Sequence, residues 1–272
     1  MKRTLQTDGK PGTLLLNVFT KQEQPIRIIV RDKFNKNTKY IDKTDKVTGE
    51  GKFYLRMPLM PRNAELIIFN EKNGNKPEGV DRSFKAGKTK LVDLKRKLNC
   101  FDYSNPVIKN FVEFAEEFSQ NASKISAGKS VYTSNDGEFV IEYFDDITDS
   151  NGRKLNTPAR ISQKEGVIQI SKNKFLNYTI PMRMIILLHE FSHFYLNKDM
   201  SNETEADLNA LLIYLGLGYP RFEAFYAFLK VFYNSPSPEN KERYEYIHKF
   251  IQDFEKYKMC ITYDSYNIKQ AA

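Results

Sequence analysis

The stretch "MIILLHEFSHFYLNKDMSNETEAD", Met184 to Asp207, decides how this 272-residue chain is read. Two of its three histidines, His189 and His193, stand four apart, with Glu190 directly after the first and Glu203, Glu205 and Asp207 further on. Residues i and i+4 of an α-helix lie one above the other. Both imidazoles therefore point the same way and can share one ion, while Glu190 keeps its carboxylate free to hold a water. The surrounding "PMRMIILLHEFSHFYL" supports a buried helix: its first half is nearly all apolar, and Ser192 is small enough for close packing. The bland alternative is a pair of core or surface histidines on a structural helix. Accident is a weak rival, since about 0.002 matches to H-E-x-x-H are expected by chance in a chain of this composition.

A catalytic zinc takes three protein ligands and leaves a fourth position for water. The loop "NKDMSN" breaks the helix and "SNETEADLNALLIYLGLG" restarts it, so a carboxylate near the second N-terminus can swing back to the histidine pair. Glu203, Glu205 and Asp207 compete for that role. With Asn202 as N-cap, Glu205 takes the capping-box position, which leaves Glu203 as the preferred third ligand. Glu203 and Asp207 share one face at i, i+4, so one can bind the ion while the other hydrogen-bonds a ligand histidine from behind. The plain reading of Asp207 is an ordinary exposed helix residue. The apolar stripe Leu208, Leu211, Leu212 and Leu215 that follows it favours the buried side.

Helical segments are expected over about 181–197, 202–216, 220–234 and 238–258, punctuated by Gly216 and Gly218 and opened by Pro220 and Ser237-Pro238. Upstream, "NPVIKNFVEFAEEFSQN" sets Val107, Phe111, Phe114 and Phe118 on one helix face, with Ser104 or Asn105 as N-cap and Pro106 in the first turn. Between these lie the strand candidates "KSVYTS", "EFVIEYFDDI" and a hairpin, "ARISQKEGVIQIS", turning at Glu165-Gly166. Residues 11 to 98 differ in kind. There "TLLLNVF", "IRIIVRD", "GKFYLRMPL", "AELIIFN" and "KTKLVDL" carry period-two or short apolar runs between turn-rich pieces. The expectation is an α+β chain of two domains. The first, 1–98, is an antiparallel β-sandwich, immunoglobulin-like or transthyretin-like; the second, 99–272, holds a small β-sheet and the histidine-bearing helix.

With 40% hydrophobic and 28% charged residues the composition is that of a soluble globular protein. No apolar run approaches the roughly 18 to 20 residues of a membrane span. The net charge of +8 is spread along the chain. Its densest basic stretch, "KTKLVDLKRK" (Lys88 to Lys97), reads as a solvated strand edge or linker, so no nucleic-acid role is assigned. A Sec signal is not expected, because the apolar stretch Leu14 to Phe19 is short and interrupted by Asn17. Cys100 and Cys260 are the only cysteines, which points to a reducing compartment and leaves open whether they pair.

H-E-x-x-H followed by E-x-x-A-D, here His189-Glu190-Phe191-Ser192-His193 and Glu203-Thr204-Glu205-Ala206-Asp207, resembles the zincin superfamily, specifically the gluzincin arrangement of metallopeptidases. The likeness covers about residues 104 to 235. It implies a zincin-like second domain, zinc held by His189, His193 and Glu203, Glu190 as general base, and Asp207 orienting a histidine. It also implies a protein or peptide substrate whose extended chain pairs with an edge strand, here "GVIQIS". Two departures matter: His193 and Glu203 are closer in sequence than in most gluzincins, and no motif fixes the downstream oxyanion donor. His248 on "ENKERYEYIHKFIQDFEKY" is a candidate for that donor, with a solvated helix position as its plain reading. Tyr214, Tyr219, Tyr244 and Tyr246 stay open beside it. The same region is also similar to small zincin-like proteins of tailed bacteriophages, including crAss-like phages. The expected function is zinc-dependent peptide-bond hydrolysis, in the cytoplasm or on a virion, with the β-sandwich docking the chain to a protein partner or larger assembly. The alternative is a structural or assembly component of a phage virion that keeps the fold and cleaves little or nothing.

Overall fold

Leu14, Leu16 and Val18, then Ile26, Ile28 and Val30, are buried at every second residue along one strand of 21 residues, Gly12–Asp32. That strand organises the first of two units, Met1–Arg96 and Lys97–Ala272, in a computed structural model that describes residues 1–75, 81–94, 104–126, 130–234 and 236–256. Cys100, Cys260 and the basic residues Lys95 to Lys97 lie outside the described residues.

The first unit consists of β1 (Lys2–Gln6), β2 (Gly12–Asp32), β3 (Lys39–Met57), β4 (Asn63–Asn70) and β5 (Phe84–Asp93). All pairings are antiparallel, in the order β1-β4-β2-β3 with β5 also on β2. The first half of β2 pairs with the end of β3 and with β5, and its second half with the start of β3 and with β4. The sequence separates "TLLLNVF" from "IRIIVRD" at a polar interruption, yet the chain stays extended there. A register shift between Thr20 and Gln24 absorbs the interruption, beside Gly49, whose φ of 68° suits a residue without Cβ. All five strands thus belong to one antiparallel hydrogen-bonded sheet, because β2 and β3 run through both halves of it. On this sheet Arg27 holds both oxygens of Asp42, at 2.8 and 3.1 Å, and buried Glu65 accepts from Lys2 and Arg31. Lys88 and Lys90 stand exposed on β5, which among the described residues pairs only with β2, as a solvated strand edge should.

In the second unit α1 (Pro106–Asn121) begins where Asn105 Oδ1 accepts from the amides of Val107 and Ile108, at 3.0 and 3.3 Å. Its Phe111, Phe114 and Phe118 are buried, in line with their spacing. A four-stranded sheet follows, formed by β6 (Ser130–Thr133), β7 (Val140–Phe144), β8 (Ala159–Ile161) and β9 (Ile168–Ser171) in the order β6-β7-β9-β8. β8 and β9 form the expected hairpin. Gly166 turns it with a φ of 68°, and a Cβ there would meet the Phe194 ring at 3.0 Å. The one-turn helix α2 (Lys172–Phe175), absent from the sequence reading, precedes α3 (Ile180–Tyr195), α4 (Glu203–Gly216), α5 (Arg221–Asn234) and α6 (Pro238–Lys256). Among the described residues no helix is long and apolar enough to cross a membrane.

Helix α3 is buried on nearly every side over its first nine residues. Phe191 stacks on Phe111 of α1 with ring centroids 4.1 Å apart. Arg183, fully buried, donates to the carbonyls of Ser119, Tyr178 and Leu176 at 2.8, 3.0 and 3.2 Å. These carbonyls lie in the last turn of α1 and just past α2, where helices leave acceptors unused and the dipole favours a cation. The side chain thereby fastens α3 to its neighbours and fixes the rotation of the helix that carries the histidines.

Candidate metal centre

His189 and His193 sit one turn apart on α3, their Nε2 atoms 3.1 Å from each other and their rings perpendicular. The other nitrogen of each ring decides what those Nε2 atoms can do. Nδ1 of His193 lies 2.7 Å from the Met200 carbonyl in the α3–α4 loop, an acceptor only, so Nδ1 carries the proton. Nδ1 of His189 lies 2.9 Å from Asp207 Oδ1 but off the line of a well-aligned hydrogen bond, which leaves that nitrogen without an in-line partner. A carboxylate that close still favours the proton on Nδ1. With both rings neutral and protonated on Nδ1, two Nε2 lone pairs stand 3.1 Å apart, a repulsion that a metal held by both rings or a proton on one of them relieves.

The third donor comes from α4. Asn202 caps this helix by accepting from the Glu205 amide at 2.9 Å. Glu205 completes only half of the expected capping box, since its carboxylate accepts from the Lys198 amide at 3.2 Å rather than from Asn202. Asn197 ties the turn together by donating to the Asn202 carbonyl and accepting from Asn209. This tight loop turns the first residue of α4 back toward α3. Glu203 Oε2 stands 3.4 Å from His189 Nε2, and Oε1 stands 3.6 Å from His193 Nε2. His189, His193 and Glu203 form a group that could hold a metal ion.

The donor spacing fits that use. Donors of a four-coordinate ion held at about 2.0 to 2.2 Å stand about 3.3 to 3.6 Å from one another, close to the 3.1, 3.4 and 3.6 Å found here. Electrostatics agree. Burial alone would lower the His189 pKa, but the Asp207 and Glu203 carboxylates outweigh it and raise it to about 10. Burial would raise the Glu203 carboxyl, and its contacts with His189 and His193 hold it well below the usual range instead. Without a metal, a proton on His189 supplies the positive charge the cluster demands.

Glu190 is buried and lines the same cavity, of about 270 Å³. Burial raises its carboxyl pKa, against the pull of the two histidines and of the Ile161 backbone amide, which donates to it. Beside the donors, the cavity is lined by the polar Arg160 and Gln163 and by the apolar Ile185, Ile186, Ala227, Phe228 and Val231. Its strand is β8, the sheet edge, with Ala159, Arg160 and Ile161 all lining it. "GVIQIS" is not that edge: β9 lies between β7 and β8, with both flanks paired. The return strand of the hairpin inserts beside β7, and the outgoing strand is left outermost.

His248 is exposed on α6, its ring 6.3 Å from Tyr244 and its Nε2 beside Gln252, and it does not line the cavity. Neither do the tyrosine candidates: the hydroxyls of Tyr214, Tyr219 and Tyr246 are spent on the Pro220 carbonyl, Glu116 and Glu242, while Tyr244 packs against Phe225. Arg243 is the α6 residue that reaches the site, which the sequence reading missed. Five residues separate it from His248, about 140° around a helix, so one side chain faces inward and the other faces away. No protein-family model, curated protein or solved structure matches this chain.

Proposed function

We propose that the second unit is a zinc-dependent metallopeptidase in which His189, His193 and Glu203 hold the metal and Glu190 is the general base. The observation that carries this reading is the pair of imidazole Nε2 atoms close to each other and to Glu203, beside a buried carboxylate in a cavity lined by the edge strand β8. When bound, zinc supplies Lewis acidity that activates water and polarises a carbonyl. Glu190, with its pKa raised by burial, takes a proton from the water and delivers it to the leaving amine. An extended peptide would pair along the outer edge of β8, in exchange for the bonds that the Ile161 amide makes to Glu190 and the Ala159 carbonyl accepts from Thr157, and the apolar residues of the cavity would receive a side chain. The first unit docks the enzyme to a protein partner or assembly.

A different reading is an assembly protein without catalysis, in which the Arg243–Glu203 contact at 3.0 Å serves to tie α6 to α4. Hydrolysis of a peptide library by zinc-loaded protein, compared with Glu190→Gln, separates the two. The peptidase reading expects cleavage to fall by about 10²- to 10⁴-fold in the variant with zinc still bound. Zinc-loaded wild-type protein that cleaves nothing supports the assembly reading.

A further inference from the structure

Arg243 is the residue through which α6 reaches the donor cluster. Its Nε and Nη2 hold the two oxygens of Asp207 at 2.8 and 3.0 Å, and the same Nη2 contacts Glu203 Oε2 at 3.0 Å. Nη1 is anchored to Asn240 Oδ1 at 3.2 Å, one turn earlier on the helix, and the guanidinium lies 5.0 Å over the Phe232 ring. A side chain fixed at four points cannot drift, so whatever it holds is held firmly.

We propose that Arg243 is a positioning residue for the metal centre: by clamping Glu203 and Asp207 together it sets metal affinity, and α6 thereby completes a site whose ligands all come from α3 and α4. The inference rests on the metal-binding reading above. Two observations support it. Glu203 is half exposed, at 51%, and sits on the first turn of α4, where a flexible side chain would otherwise sample many rotamers. Asp207, at 1% exposure, stands on the same helix face, and two carboxylates one turn apart repel each other unless a cation lies between them. The planar fork of arginine spans both acids at once, which the single ammonium of lysine does not. Holding Glu203 in place before the ion arrives removes an ordering cost from binding.

Zinc affinity measured by competition with a chromophoric chelator tests this on the full-length chain, with circular dichroism to show that each variant is folded. Arg243→Gln is expected to bind zinc at least tenfold more weakly than wild type, within the range for residues that support metal ligands from behind, and Arg243→Lys to fall in between. In a Glu203→Gln background, Arg243→Gln is expected to cost less than it does in wild type, because the route through Glu203 is gone and only the route through Asp207 to His189 remains; a general structural effect would persist in full. Arg243→Gln within twofold of wild type, or an undiminished effect in the Glu203→Gln background, overturns the inference. Should Arg243→Gln not fold, Arg243→Lys decides: a loss of threefold or more supports the clamp, and a smaller one overturns it. Wild-type protein that binds no zinc at all would sink the metallopeptidase reading instead.

Discussion

Asp207 Oδ1 and His189 Nδ1 stand 2.9 Å apart where α4 crosses α3, and Asp207 is almost wholly withdrawn from water. That carboxylate has two neighbours of opposite demand, an imidazole to orient and the Arg243 guanidinium to neutralise. Asp207→Asn preserves the shape and removes the charge. We expect zinc affinity to fall about 10- to 100-fold. The unfolding free energy of the metal-free protein should drop by about 3 to 5 kcal/mol, the usual effect of breaking a buried pair. Chelator competition and denaturant unfolding measure the two effects separately, and a variant that binds zinc like wild type would deny Asp207 its orienting role.

Proton linkage gives a second prediction. The His189 pKa of about 10 means that its imidazole is protonated in the metal-free protein across the neutral range. A metal must displace that proton, so zinc affinity should rise with pH by about tenfold per unit below that pKa. Calorimetric titration in buffers of different ionisation heat should show about one proton released per zinc. The metal-free protein behaves in the opposite sense. A pKa raised in the folded state contributes stability that is complete below the usual 6.5 and lost as pH rises through about 10. Its thermal midpoint should therefore decline over that window, and zinc should offset the decline.

The orientation of α3 depends on aromatic packing behind the site. Phe111 is fully buried, stacks on Phe191 at 4.1 Å and meets Phe139 edge to face at 5.2 Å. Phe111→Ala should destabilise the second unit by about 3 to 5 kcal/mol. Because Phe191 lies between the two histidines in sequence, the variant should also lose zinc affinity under conditions where it remains folded. A destabilised variant with unchanged affinity would show that α3 keeps its rotation without this stack.

Acid should unfold the first unit through two carboxylates. Burial alone would raise Asp42 and Glu65; bonds from Arg27 and Lys39 to Asp42, and from Lys2 and Arg31 to Glu65, outweigh it and leave both pKa values lowered. Depressed values contribute stability above the ordinary 3.8 and 4.5 that is lost as pH falls below them. Calorimetry of the full chain at successively lower pH should show the transition of this unit moving to lower temperature. Arg27→Gln should weaken that dependence, and an unaltered pH profile in the variant would argue against the pair.

What the sequence disclosed was local. The i, i+4 histidines, the Asn202 cap, the Asn105 cap and the Gly166 turn each depend on neighbours within a few residues, and each stands where its spacing placed it. What it hid was remote. Arg243 meets Asp207 from 36 residues away with no motif to announce it. The choice of β8 over β9 as the edge depends on which strand docks beside β7, a pairing that neither strand's own residues specify. In the first unit a polar interruption resembles a turn, and only the pairing of β2 with β3 on both sides of it, up to Thr20 and again from Gln24, keeps it extended.

The most direct test is anomalous diffraction at the zinc edge from crystals grown with zinc and no chelator. A single strong peak about 2.0 to 2.2 Å from His189 Nε2, His193 Nε2 and a Glu203 oxygen is expected. A site with no peak, or a peak bound elsewhere while these three side chains keep their present contacts, would contradict a metal centre here.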